Sequence, residues 1–367
     1  MGRIIILLLI LASLVGGGAY VYLNKPDPAL ETKFIQNIRQ NIKAPEEESS
    51  VQLIEPGESA LLENSYHVYQ TFNNCGPATL SMILNWYGVK ASQSELGDQM
   101  RPYQVASGDN DDKTIFTYEF VQWAEKYGLK AVGRRNGDIE LLKRFTANSI
   151  PVVVKTWLHP GEDIGHFRIV RGFDESSGVI IQDDSYEGPN KRISYYDFLG
   201  MWQPFNYDYM IVYTAESEEK VMAILAEEWD EQTSWQNTLE RAQKESELDP
   251  ENIYPIFNVS VATYQLGDYQ ASVEAFERVE SRLPRRMLWY QIEPIRAYQK
   301  LGNYDRVFEI TQRILDGGNR SFSELYMIRG EIYLEKSEKD KARQEFEKSV
   351  LYNKNLESAQ EALKLVQ

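Results

Sequence analysis

Leu80, Ile83, Leu84 and Tyr87 recur at helical spacing on one face, which predicts a helix over 75–87. Asn74 is placed to cap it, Pro77 fits its first turn, and Gly88 stands where it must end. Similar patterning predicts a helix over 115–127 that stops at Gly128, and another over 138–145. Strand patterns then take over at 151–158, 166–173, 179–183 and 209–214, with a hairpin turn at 174–178. Helices first and an antiparallel sheet second make an α+β order over 61–215.

From 216 to 367 the pattern becomes helical and repetitive. Gly267-Asp268-Tyr269 returns as Gly302-Asn303-Tyr304, 35 positions later. Tyr264, Tyr298 and Tyr333 recur at 34 and 35, and Pro250 and Pro284 stand 34 apart. This all-α region resembles a tetratricopeptide array, in which amphipathic helix pairs repeat at about this period. Gly330, Tyr333, Ala342 and Phe346 fit a further copy, although Ser337 stands where glycine is expected. The stretch from Trp235 to Pro250 reads as the second helix of an earlier copy. Such arrays bind peptides or proteins on a concave face, so a protein partner is expected here.

The first 24 residues have another character. Residues 4–23 carry no charge, and about 20 apolar residues span a bilayer core as one transmembrane helix. The run exceeds a usual signal-peptide core, so an uncleaved membrane anchor is expected, with the bulk of the chain extracytoplasmic. Cleavage would instead give a secreted protein. Residues 25–60, with Pro26, Pro28, Pro45, Pro56 and an acidic run at 46–48, read as a linker with a short helix near 34–42. The formal net charge of −16 argues against a nucleic-acid partner, because phosphate binding needs clustered Lys and Arg.

The chemistry centres on Cys75, the only cysteine in the chain. A lone thiol makes no internal disulfide, and a helix N-terminus favours its nucleophilic thiolate. Three histidines could serve as its base. His166 opens a strand and is the best placed, His159 sits among turn formers, and His67 lies in an extended approach. Asp183 or Asp184, one hairpin beyond His166, could orient its imidazole. Gln70 could join the Cys75 backbone N–H in stabilising an oxyanion. The scattered His and single Cys make a poor metal set, and no cofactor is expected.

Gln70, the run from Asn74 to Ala78, Met82, Trp86 to Gly88, His166-Phe167, Gly172 to Asp174 and Gln182-Asp183 together resemble the papain-like cysteine peptidases that process bacteriocin leaders, peptidase family C-39 and its stand-alone relatives. The resemblance covers 61–215. It implies Cys75 as nucleophile, His166 as base, Asp183 as orienting acid and Gln70 as oxyanion donor. In the family pattern an Asp-Pro commonly follows the third strand, whereas here Asp184 follows Asp183, which leaves the choice of carboxylate open. The chain lacks the phosphate-binding loop of the family's exporters, so leader cleavage does not carry over. The expectation is a membrane-tethered cysteine peptidase acting on peptide or protein substrates. An inert peptide-binding module, or a thiol acyltransferase or cell-wall amidase, are the alternatives.

Overall fold

The computed structural model describes residues 51–104 and 114–366. The uncharged run 4–23, the linker up to residue 50 and the short helix near 34–42 lie outside them. Among the described residues no helix is long and apolar enough to cross a membrane.

The first part of the chain builds an antiparallel sheet with helices on both faces. In chain order come β1 (Ser59–Leu61), α1 (Cys75–Trp86), α2 (Gln93–Met100), α3 (Thr117–Lys126), β2 (Lys130–Arg134), α4 (Ile139–Ala147), β3 (Val152–Trp157), β4 (Gly165–Asp174), β5 (Val179–Asp184), β6 (Gly188–Ser194), α5 (Tyr195–Trp202), β7 (Tyr209–Tyr213) and α6 (Glu218–Leu225). The strands run β2-β7-β3-β4-β5-β6, and β1 pairs with β4. Side chains alternate across each strand, so its two faces feed two cores. Val153, Ile169, Met210 and Val212 pack with Leu80, Ile83 and Leu84 of α1. Val152, Val154, Val170 and Ile211 pack with Leu142, Phe145, Phe198 and Trp202 of α4 and α5. A strand buried on both faces reads as an apolar run, which is why β3 is plain in the sequence.

The strands that the hydrophobic pattern misses are β1, β2 and β6. β2 and β6 lie at the two edges of the sheet, where polar and charged side chains replace alternation. Helix α2 is short and polar, and Ser92 caps it by accepting from the Glu95 N–H. The expected linker does not remain apart to residue 60. Ile54 exchanges two 2.9 Å hydrogen bonds with the Asn148 side chain, and β1 begins at Ser59.

The repeat region contains α7 (Glu231–Leu248), α8 (Ile253–Gln265), α9 (Tyr269–Val279), α10 (Met287–Tyr290), α11 (Glu293–Lys300), α12 (Tyr304–Asp316), α13 (Ser323–Glu335), α14 (Lys339–Tyr352) and α15 (Glu357–Leu365). Three helix pairs, α8–α9, α11–α12 and α13–α14, turn on a left-handed residue: Gly267 at φ +86°, Gly302 at +73° and Ser337 at +62°. Ser337 therefore performs the glycine's backbone task despite its Cβ. The connection from α9 to α11 is the long one, and it carries the four-residue helix α10.

This region is packed onto the sheet domain rather than held away from it. Trp157 of β3 and Phe205 share a core with Ile256, Phe257, Met287 and Trp289. Tyr290 meets the Trp157 and Phe205 rings with centroids 5.7 and 5.9 Å away. Gln291 donates to the Pro204 carbonyl at 2.8 Å, Asn258 to the Gln203 carbonyl at 2.7 Å, and Asn355 to the Gln99 carbonyl at 2.6 Å.

Candidate active site

Cys75 is the first residue of α1, where backbone N–H groups lack helical acceptors. Asn73, just before it, takes the left-handed conformation at φ +55°. The Asn74 side chain does not cap the helix as the sequence suggests. Its Oδ1 accepts from Arg101 Nη1 at 2.6 Å, and its Nδ2 donates to Thr71 Oγ1 at 2.8 Å, which braces the turn. Gly76 is required by proximity: a Cβ there would lie 2.7 Å from Ile115 Cδ1. Without one, the helix start seats against β4.

His166, the second residue of β4, lines the same cleft as Cys75 and acts on its thiol. Its Nε2 lies 2.9 Å from Asp184 Oδ1. The acid that meets the imidazole is thus Asp184, not Asp183. Strand parity supplies the reason. His166 and Arg168 are two apart and share a face, and Arg168 stands opposite Asp184 in the ladder. Asp183 stands opposite Ile169 and points to the other face. There it pairs with Arg171 Nε at 2.7 Å and accepts from Asn64 Nδ2 at 2.8 Å.

Asp184 is firmly held. Arg168 Nε lies 2.9 Å from its Oδ2, and its Oδ1 accepts from the Tyr186 and Glu187 N–H groups at 2.7 and 3.0 Å. Arg168 is buried and is itself fixed by Thr156 and by the Trp157 and Leu158 carbonyls. Burial alone would raise the Asp184 carboxyl, but the His166 hydrogen bond and the His166 and Arg168 charges hold it well below the usual carboxylate range. Burial likewise pulls the His166 imidazole down, yet the Asp184 and Cys75 hydrogen bonds outweigh that and raise it. For Cys75, burial pushes the thiol up. The His166 hydrogen bond and charge, the Phe167 backbone N–H and the Arg101 charge overcome this and lower it. A lowered thiol beside a raised imidazole favours a thiolate–imidazolium pair.

The remaining histidines stand apart from this pair. His67 Nε2 donates to the Asp184 carbonyl at 3.0 Å, steadying the strand end. His159 sits between Glu187 at 2.7 Å and Glu162 at 3.1 Å.

A cleft of about 490 Å³ opens over the thiol, with Gln70, Cys75 and His166 in its wall. Gln70 Oε1 accepts from Ser185 Oγ at 2.8 Å, and its backbone N–H donates to the Ser185 carbonyl at 2.8 Å. Both bonds fix Gln70 in the wall of the cleft that Cys75 also lines. Ile115, Leu158 and Phe167 give the cleft an apolar lining, and Trp289 and Tyr290 of α10 close one end. Lys155 of β3 also reaches it. The repeat region therefore forms part of the cleft.

Residues 61–210 match the Peptidase_C39 like family, and residues 323–356 match the tetratricopeptide repeat. The chain carries a C39-like peptidase domain followed by tetratricopeptide repeats. Among solved structures, a C39-like peptidase from Bacillus anthracis is similar at 16% identity, covering 42% of this chain and 98% of its own, with a TM-score of 0.36. A double-glycine-motif protease of an AMS/PCAT transporter, in complex with its leader peptide, is similar at 19% identity over 44% of this chain and 99% of its own, TM-score 0.32. A tetratricopeptide repeat protein from Parabacteroides merdae is similar at 21% identity over 41% of this chain and 65% of its own, TM-score 0.32. No curated protein matches the chain.

Arg168, Lys155 and Tyr290 escaped the sequence reading. Two of them left a trace. A lysine inside the run Val152-Val153-Val154-Lys155 is a charge in a buried strand, which is uncommon without a purpose. Arg168 in β4 is the same kind of anomaly. Tyr290 left none, since nothing local tells which aromatic of a repeat will reach a distant cleft.

Proposed function

We propose that this protein is a cysteine peptidase whose C39-like domain hydrolyses peptide bonds in a cleft completed by its tetratricopeptide repeats. One observation carries the reading: Cys75 at a helix start and His166, itself 2.9 Å from Asp184, line the wall of one open cleft, where the imidazole favours the thiolate. In this scheme the Cys75 thiolate attacks the scissile carbonyl. The oxyanion is stabilised by the Gln70 amide and the Cys75 N–H. His166 gives its proton to the leaving amine, leaving a thioester on Sγ. Neutral His166 then takes a proton from water, whose hydroxide attacks the thioester, and the acid product leaves as the thiolate–imidazolium pair returns. Asp184 keeps the imidazole oriented, and Arg168 keeps Asp184 in place.

The repeats add a surface for substrate or a protein partner. The uncharged run 4–23 supports a membrane tether with the peptidase outside the cytoplasm, and that part of the proposal rests on sequence alone.

Digestion of an unbiased peptide library by the full chain tests the proposal. Cleavage at a consistent residue context, abolished by Cys75→Ala, is the expected result. No Cys75-dependent cleavage, with peptides still bound, would overturn it in favour of a binding module. Product transfer to an added amine in place of hydrolysis would make it an acyltransferase.

A further inference from the structure

Lys155 takes no part in the chemistry above, yet its placement asks for a ligand. It is 3% exposed, in the middle of a strand otherwise given to the core. Its ammonium has three donors, and it gives one bond, at 3.3 Å, to the Ile115 carbonyl. The rings of Phe116, Phe167, Phe205 and Tyr290 surround it with centroids 5.4 to 5.8 Å from Nζ. Such rings attract a cation but offer no hydrogen-bond acceptor in the plane of a carboxylate. Among the described residues no carboxylate oxygen lies within 4 Å of Nζ. Of the carboxylates whose charge reaches it, Asp208 is engaged by Thr117 and Arg135, and Glu293 accepts from Gln265 through Oε1 and keeps a buried Oε2 without a hydrogen bond. Among the described residues no carboxylate pairs directly with this ammonium; the Asp208, Cys75 and Glu293 charges support it from further away, and its burial pushes its pKa down to about 8. It lines the same cleft as Cys75, opposite Phe167 in the ladder and beside Tyr290, and it also lines a neighbouring cavity with Asp208 and Glu293.

We infer that Lys155 is the anchor for a carboxylate of the substrate, carried by the residue that lies between Gly165, Tyr290 and Phe167. This deepens the peptidase reading and rests on the cleft being a peptide site. The ligand's carboxylate takes the donors that the Ile115 carbonyl leaves over, and the ring cage keeps the ammonium in place for it. Two sources share the chemistry: an Asp or Glu side chain next to the scissile bond, or the free C-terminus of a short peptide.

Fluorescein-labelled octapeptide pools separate these sources. Each pool is fixed as Glu or as Gln at one position, and each is made with a free or an amidated C-terminus. Binding is measured by anisotropy to full-length Cys75→Ala, which removes any dependence on turnover. A Glu pool at one position, or the free-terminus pools, should bind at least about tenfold more tightly than the neutral counterpart. That advantage should disappear in Cys75→Ala/Lys155→Met and persist in Cys75→Ala/Lys155→Arg. Equal binding of charged and neutral pools overturns the assignment, and so does an advantage that survives Lys155→Met. The comparison within Cys75→Ala stands even if the lysine variants fail to fold. Discrimination without Cys75-dependent cleavage supports the Lys155 assignment and removes the peptidase reading. Cleavage indifferent to carboxylates does the reverse.

Discussion

Tyr290 of the repeat region covers Gly165, the residue before His166, so closely that a Cβ on the glycine would stand 2.7 Å from Cε1 of the ring. Arg286, four residues earlier, pairs with Asp163 at 2.5 Å and fastens the same approach. The C39-like domain and the repeats thus meet at the edge of the Cys75 cleft, where small changes in docking alter what the cleft admits.

Gly165→Ala should therefore push the Tyr290 ring out of its packing against Trp157 and Phe205. The expected result is about a tenfold rise in KM, with a smaller change in the rate of Cys75 alkylation. Tyr290→Ala should couple to it by about 1 kcal/mol or more in a kinetic double-mutant cycle. Simple additivity of the two changes would show that the contact does not shape the cleft.

Alkylation by iodoacetamide should report the ion pair through its pH dependence. A lowered Cys75 pKa keeps the thiolate as pH falls below the ordinary thiol value of about 8.5, until the folded pKa is crossed. A raised His166 pKa keeps the imidazolium as pH rises past about 6.5. The midpoint of the rate profile should lie below that of a free thiol. His166→Ala should move it upward and slow the reaction at neutral pH. An unchanged midpoint would sever the proposed pair.

Asp183→Asn and Asp184→Asn should fail in different ways. Loss of the Asp184 charge leaves His166 without its orienting acceptor and the buried Arg168 without its counter-ion, so kcat of the folded protein should fall by about 10²–10⁴ on top of a loss of stability. Asp183→Asn instead leaves the buried Arg171 short of its counter-ion, at a cost of about 3–5 kcal/mol. Its effect should appear in urea unfolding, with the alkylation profile of the folded protein preserved. Exchange of the two phenotypes would restore Asp183 as the orienting acid.

Ser337→Gly should stabilise the repeat region. A non-glycine residue in the left-handed region is strained by about 1–2 kcal/mol, and the glycine's extra unfolded-state freedom takes back about 0.5–1. A net gain of about 0.5–1 kcal/mol is expected in denaturant unfolding. Destabilisation would mean that the serine side chain contributes contacts worth more than the strain.

Local patterns along the chain determined the buried strands, the helix that starts at Cys75, the glycine stops and the repeat period, because each depends on neighbours within a turn or an alternation. They also brought Cys75, His166 and Gln70 forward as candidates, since a lone thiol and three histidines leave few choices. Asp184 was legible in principle from parity, but only with the ladder register known, and a register shift of one residue reverses every facing. The polar edge strands β2 and β6 carried no alternation to read. Tertiary structure alone decided that Arg168 holds Asp184, that Lys155 is buried among aromatic rings at the cleft, and that Tyr290 lines it. Those relations join residues through packing between distant elements, and no interaction within a short stretch of chain encodes which surfaces will meet.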